Sequence, residues 1–417
     1  MKSSIFKNTR LTHALPFVLA FAGTSFATEG DLGGASYDGS EAKPYQISDA
    51  ADLKAFAEKV NKVKEYGANA VLTGNICMNA YGEGESVLKS DGTLNGDGTK
   101  FSQWTPIGTE QKPFNGTFDG KGFAISGLFF NNEVDYVGLF GHISNPGVVQ
   151  NVGVVDSYFD GANNVGGVVG YCDGCEVTNV HISESVVKGT QEVGGVVGYC
   201  DYHSSINNSY NAGPVNGVNF VGGVVGSNSG SVNNSYNAGS VRGVDNSNGV
   251  GGVAGFNSGS VINSYNTGAV SGTEYVGGVA SELAGSIDNC FYNTDVTCTN
   301  CSIIEGTGKS AKEFRNGTVA SLLLNWCEKD KVSDECKDGG LNGYIWGQNL
   351  TKENSLPDFS GAVIEKYGSI IFYVGVDKVD SASIDAAAKD LVTIPNDVVV
   401  AGPVKFGRNF SSSGYST

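Results

Sequence analysis

Six segments of one design recur along this chain at a nearly constant interval. Val137–Gly141 (VGLFG) opens the series. Val165–Gly170, Val193–Gly198 and Val221–Gly226 (all VGGVVG) follow at steps of 28 residues, then Val250–Gly255 (VGGVAG) and Val276–Ala280 (VGGVA) at 29 and 26. A second mark sits between them: Asn151-Val152, Asn179-Val180, Asn208–Tyr210, Asn234–Tyr236, Asn263–Tyr265 (the last three NSY) and Asn289–Phe291 (NCF). A period of this length is the signature of a stacked repeat architecture. Valine, glycine, asparagine and serine disfavour helices, which excludes the helical repeats. Short β-branched segments between turn residues read as strands. At about 3.3 Å per residue one repeat has a contour of about 90 Å, enough to circle a narrow core as two or three strands. Successive coils then stack about 4.8 Å apart by parallel pairing. The expected fold is all-β: a parallel β-solenoid (β-helix) of coils of about 28 residues, with valine columns inside and asparagine ladders along it. The glycines suit either a positive-φ turn or a corner where backbone passes close to backbone. A phosphate loop would need a following Lys-Ser/Thr and a helix, and these segments have neither.

The N-terminus reads as an address. Lys2, Lys7 and Arg10 precede the apolar run Ala14–Ala22, and Ser25 and Ala27 place small residues at the minus-three and minus-one positions. This is the layout of a secretory signal peptide cut after Ala27, and it places the mature chain outside the cell or on its surface. Cutting there removes three cations and no acid, taking the formal charge from −17 to −20. Such an acidic chain is a poor partner for nucleic acid. After residue 27 no apolar run reaches the roughly 18 residues of a membrane helix.

Export favours disulfides over metal among the nine cysteines. Cys172 and Cys175, like Cys298 and Cys301, have CxxC spacing, but four histidines in all and the long separation of the pairs argue against a zinc ribbon. Cys172 and Cys200 hold the same place in consecutive repeats (GYC in both), so stacking brings their Cα atoms into the disulfide range. Cys172–Cys200 and Cys172–Cys175 are therefore rival bridges, the former favoured. Cys327 and Cys336 form a local candidate, and Cys77 is the most isolated.

A solenoid needs capped ends. Residues 28–43 read as a linker and 44–103 as an N-terminal cap. A helix is expected over about 49–64, on the spacing of Leu53, Phe56 and Val60 behind Asp49. A strand follows over Ala70–Met78. Asp91, Asn95 and Asp97 lie in a glycine-rich loop at 82–99 whose spacing misses the calcium-loop pattern, so it reads as solvated. The repeat body spans 104–300. A closing segment, 301–361, holds short helices at 310–315 and 319–324, with Trp346 and Phe359 packed on them. Residues 362–417, with apolar runs at 370–376 and 398–404, read as a small and incomplete β segment or a linker.

The repeats Tyr275–Val279 (YVGGV) and Val221–Gly226, the asparagine-serine-tyrosine runs and the lead-in Pro113–Leu128 (PFNGTFDGKGFAISGL) resemble the GLUG-motif family over residues 104–300. The resemblance implies a bacterial exported or surface protein. Some such proteins carry the repeats beside a zinc peptidase that cleaves immunoglobulin A, and others look like adhesins. It supplies no catalytic residue.

Tests for chemistry point away from catalysis. A zinc peptidase needs HExxH, and His142, His181 and His203 are followed by Ile, Ile and Ser. Gly226–Gly230 (GSNSG) is no serine elbow. Asn293–Asp295 (NTD) resembles one element of a polysaccharide-cleaving β-helix enzyme, without its companions. Asp156, Asp160, Glu184, Glu192 and Asp245 do not recur as a column. Tyr210, Tyr236 and Tyr265 repeat in register. Facing outward they would receive sugar rings or a partner surface; facing inward, the favoured alternative, they are core. The resulting expectation has no catalytic residue, cofactor or metal. It is a secreted or cell-surface scaffold or adhesive module, with a glycan or a host or matrix surface as partner. The alternatives are a polysaccharide-cleaving β-helix and the non-catalytic repeat arm of a larger surface peptidase.

Overall fold

The computed structural model describes residues 30–63, 65–79, 86–303, 305–324, 346, 348 and 355–359, with the backbone of 363–367 and 370–374. The leader, Cys327, Cys336 and the run at 398–404 lie outside these residues. The repeats wind into a parallel β-solenoid of about nine turns. Val165, Val193, Val221, Val250 and Val276 are register partners in successive coils. All five are fully buried.

One coil visits four parallel sheets. In the coil after Asn163 these are Asn163–Gly166 on face I, Val169–Asp173 on face II, Glu176–Thr178 on face III and His181–Ser183 on face IV, before Val186–Lys188 returns to face I. Alternation along each short strand sends one set of side chains inward. On face III, Phe118, Val149, Val177, Ile206, Val232 and Val261 form a column with no exposure. On face IV the interior changes from Val154 and Ile182 to Asn211, Asn237 and Asn266. Asn211 donates to Asn237 over 2.8 Å and Asn237 to Asn266 over 2.8 Å, while the Asn266 amide donates to the carbonyls of Gly268 and Gly278. A buried amide that finds its partners in its own column costs little desolvation.

The repeated glycines answer close approach rather than positive φ. A Cβ on Gly195 would collide with the carbonyl oxygen of Gly223, one coil on, and a Cβ on Gly198 would collide with that of Gly170. The left-handed corners fall on other residues. Asn151, Asn179, Asn208, Asn234, Asn263 and Asn289 all have φ between 47° and 55°. Asparagine tolerates that region because its amide bonds locally. A second left-handed column runs through Tyr136 and, within the face I strands, Asn164, Glu192, Phe220, Gly249 and Tyr275.

The stack begins earlier than the expected boundary at 104. Tyr45–Ile47 and Ala70–Leu72 are the first two strands of face III, and Ile76–Cys77 opens face IV. The strand expected over 70–78 is therefore two strands, because the chain turns a corner between them. Nor are residues 30–43 a free linker: Leu32 is buried and its amide donates to Asp52. Helix α1 (Ala50–Glu58) is capped by the Asp49 carboxylate and runs on as a π-turn through Val63. Its Leu53 and Phe56, with Val60, close the top of the core against Phe114 and Phe118. In the 86–99 loop, Asp91 accepts from Thr93 and Asp97 from Thr99, while the Asn95 amide donates to the Ser86 carbonyl.

At the other end the last strand of face IV is Thr307–Lys309. Helix α2 (Ala311–Arg315) starts at a capping box between Ser310 and Glu313, and α3 (Thr318–Leu324) follows. Val363–Tyr367 and Ile370–Val374 pair as an antiparallel hairpin. Among the described residues no helix is long and apolar enough to cross a membrane.

The disulfide favoured from the coil spacing, Cys172–Cys200, gives way to Cys172–Cys175. Cys172 and Cys200 are indeed register partners. In-register side chains point the same way with their Cβ atoms about a strand spacing apart, slightly too far for a bridge that wants about 3.8 Å. A turn through Gly174, with φ at 65°, instead returns Cys175 toward Cys172. Cys298 and Cys301 are also bridged. Cys200 and Cys290 are free and buried, and Cys77 is free and exposed.

Candidate functional site

The tyrosines of the asparagine-serine-tyrosine runs take neither of the two simple positions. In each run the first asparagine makes the corner and the serine is buried. The tyrosine then points off face IV and the following asparagine points inward. Stacked rings run from His181 through Tyr210 and Tyr236 to Tyr265, with centroids 4.7–5.0 Å apart and planes within 7° of parallel. This outward column is then covered by the chain itself. Trp346 packs 5.4 Å from Tyr265 and 6.1 Å from Tyr236, Phe359 lies 5.5 Å from Tyr236, and Phe314 of α2 lies 5.5 Å from Tyr265. The Tyr265 hydroxyl donates to the Pro357 carbonyl. Burial raises the phenols of Tyr236 and Tyr265 well above their usual range. The column is a second core, outside the coils, covered by Phe314, Trp346 and residues 355–359.

A second aromatic row lies on face II, which the sequence reading did not single out. His142, Tyr171 and Tyr199 are register partners in three successive coils. The Tyr171 and Tyr199 rings stack 4.9 Å apart at 5°, and His142 meets Tyr171 edge-on at 4.9 Å. Tyr136, from the left-handed corner, stacks on His142 at 5.7 Å. All four are half-buried, and Tyr202 beyond them is 66% exposed. The signal was present in the sequence: Tyr171 and Tyr199 are the middle residues of the two GYC triplets.

Carboxylates surround this row. The Tyr171 hydroxyl donates to Asp201 over 3.2 Å, and the Tyr199 hydroxyl pairs with that of Ser229 at 3.3 Å. Burial and then the charges of Glu110, Asp135 and Glu192 push the Tyr136 phenol up. Burial lowers the His142 imidazole against the opposing pull of Asp173 and Glu110. Glu192 is itself half-buried, and its carboxyl is raised first by burial. Among the described residues, none of Glu110, Asp135, Asp173, Glu192 and Asp201 is in an ion pair.

Of the other carboxylates raised by the sequence, Asp156, Asp160 and Asp295 have structural partners. Asp156 accepts from Ser86 and from the amides of Val87 and Leu88, holding the 86–94 loop on the coil. Asp160 accepts from Tyr158. Asp295 accepts from the first amide of α2, Ala311, over 2.9 Å. Glu184 and Asp245 have left-handed backbones, Glu184 between two strands and Asp245 within Val241–Gly251.

No protein-family model matches the chain. It is 30% identical over 138 residues to halomucin of Haloquadratum walsbyi, covering 33% of this chain and 1% of that protein. It is 34% identical over 122 residues to a "putative Gly-rich membrane protein" of Evansella cellulosilytica, covering 29% of this chain and 12% of that one. The chain thus corresponds to a small part of either relative. Among solved structures, a "putative immunoglobulin A1 protease" from Bacteroides ovatus aligns with a TM-score of 0.57 at 19% identity, over 79% of this chain and 97% of that one. That likeness is one of fold.

Proposed function

We propose that the chain is an exported, surface-facing repeat arm of GLUG type that binds or spaces and does no catalysis. The observation that carries this reading is the half-buried aromatic row with carboxylates that, among the described residues, are in no ion pair, set on a stack of coils whose interior columns hold it rigid. Sites built on regular elements present fixed geometry, and rigid aromatic anchors contribute much of the contact energy at interfaces. Export is supported by the leader-like residues 1–27 and by the names of the two relatives, a halomucin and a membrane protein. The carboxylate of the NTD tripeptide is engaged at the start of α2. The test is a binding screen of the secreted protein on glycan arrays and immobilised host-matrix proteins. Saturable binding to one class supports the reading; breakdown of a polysaccharide in the same assay overturns it.

A second reading is favoured by the Bacteroides ovatus likeness, which spans nearly all of that chain. Here the solenoid is the non-catalytic arm of a larger surface peptidase. An antibody raised against the repeats, used on the producing cell, would detect a polypeptide well above 43.2 kDa with associated peptidase activity. A band at the mass of this chain alone rejects it.

A further inference from the structure

Among the described residues, face II carries no cover like that on face IV. On face IV the column ends under Trp346 and Phe359. On face II, Tyr171 and Tyr199 stay half-exposed, with Asp173 exposed beside them and Tyr202 fully at the surface. The rings of Tyr171 and Tyr199 face each other, so what they turn outward is edges and hydroxyls. A sugar lying flat on an aromatic ring needs an open ring face, and this row presents none between its members. Tyrosine edges with serine hydroxyls (Ser229 and, one coil on, Ser258 bonded to it at 3.0 Å) are instead the chemistry of rigid, hydrogen-bonding protein-recognition surfaces.

Charge selects the partner. Asp135 precedes Tyr136 in its coil, Asp173 follows Tyr171, and Glu192 and Asp201 flank Tyr199, so carboxylates line the row over three coils. The carboxylates that act on Tyr136, His142, Tyr171 and Tyr199 are Glu110, Asp135, Asp173, Glu192 and Asp201. An uncompensated surface of one sign, on a chain of net charge −17, draws an oppositely charged partner and repels acidic ones. We infer that the face II row around Tyr171 and Tyr199 is a docking surface for a basic, extended polypeptide segment, whose arginine or lysine side chains reach Asp173, Glu192 and Asp201 while its backbone lies along the tyrosine edges. The inference rests on the binding-arm reading and names the kind of partner for it.

The test uses the full secreted chain and a fluorescently labelled peptide alternating arginine and serine, followed by anisotropy at physiological salt. The triple variant Asp173→Asn/Glu192→Gln/Asp201→Asn keeps side-chain shape and is expected to weaken binding about tenfold or more. A remote triple with the same change in charge, Glu41→Gln/Glu58→Gln/Asp288→Asn, is expected to stay within about twofold, since exposed charges beyond a Debye length are screened. Thermal unfolding confirms that both variants fold. No binding, equal losses in the two triples, or binding that survives the face II triple each overturns the inference. A chain that adheres to matrix yet ignores the peptide defeats only this inference. One that takes the peptide but no surface defeats the adhesive reading.

Discussion

The rings of Tyr210 and Tyr236 lie 4.7 Å apart and 5° from parallel. That separation is the coil spacing itself. Two residues 26 apart in sequence are thus vertical neighbours, and each ring buries a face against the next. Trp346 and Phe359 then cover the edges the column leaves open, tying the closing segment to the last coils.

Trp346→Ala removes the largest fully buried side chain of that roof. Truncating a buried tryptophan costs about 3–5 kcal/mol. Urea unfolding of the variant should show a loss in this range, together with new quenching of tyrosine by acrylamide. An unchanged midpoint would mean the roof carries no stability.

Alkali should unfold the protein through this column. Burial raises the Tyr210 phenol from 10.0 to about 12, and those of Tyr236 and Tyr265 are raised well above 10.0. A phenol raised in the folded state holds its proton more tightly there than when unfolded. Its contribution is therefore whole below pH 10 and is lost as pH climbs through about 12. Phenolate absorbance is expected to rise in two steps, exposed tyrosines first and these three only together with loss of β-sheet circular dichroism. A single early step would contradict the burial.

Two glycines make opposite predictions. Gly195→Ala drives a methyl into the Gly223 carbonyl of the next coil and should cost about 3 kcal/mol or abolish folding. Gly74 has open space around its missing Cβ and no positive φ, so Gly74→Ala should be neutral or slightly stabilising. Thermal melts of the two variants decide it.

Asn237 is the middle rung of the face IV ladder. Its amide donates to Asn266 and to the Gly239 carbonyl, and its oxygen accepts from Asn211 and the Gly239 amide. Asn237→Ala leaves several of these groups buried without partners, each costing about 1–3 kcal/mol. A loss of about 3 kcal/mol or more in chemical denaturation is expected. A loss below 1 kcal/mol would mean water replaces the ladder.

Thiol labelling separates the cysteines. Cys77 is exposed and should react with iodoacetamide in the native protein. Burial raises the thiols of Cys200 and Cys290 to about 12, so little thiolate exists at mildly alkaline pH and neither should label before unfolding. Without reductant, Cys172, Cys175, Cys298 and Cys301 should stay unlabelled even when unfolded. Native labelling of Cys200 would argue that face II opens.

The legible parts of this protein are those that repeat. Val165, Val193 and Val221 announced a column because stacking puts like over like, and the same logic placed a helical cap around Phe56 and closing helices near Phe314 and Val319. The single-copy and directional features were harder to read. Cys172 had two candidate partners, and the strand spacing to Cys200 together with the turn at Gly174 chose between them. The tyrosines repeated perfectly in register, but periodicity is the same for an inward and an outward column.

Period, hand of alternation and the need for caps are local properties, carried by residue type and spacing, so the amino-acid string alone determined a stacked β rod. Which surface is covered is not local. Trp346 and Phe359 reach Tyr236 from more than a hundred residues away, and nothing near Tyr236 or Tyr199 in sequence says that one will be roofed and the other left open. Only the folded chain, by bringing distant side chains into contact, could separate a second core on face IV from a half-exposed aromatic surface on face II.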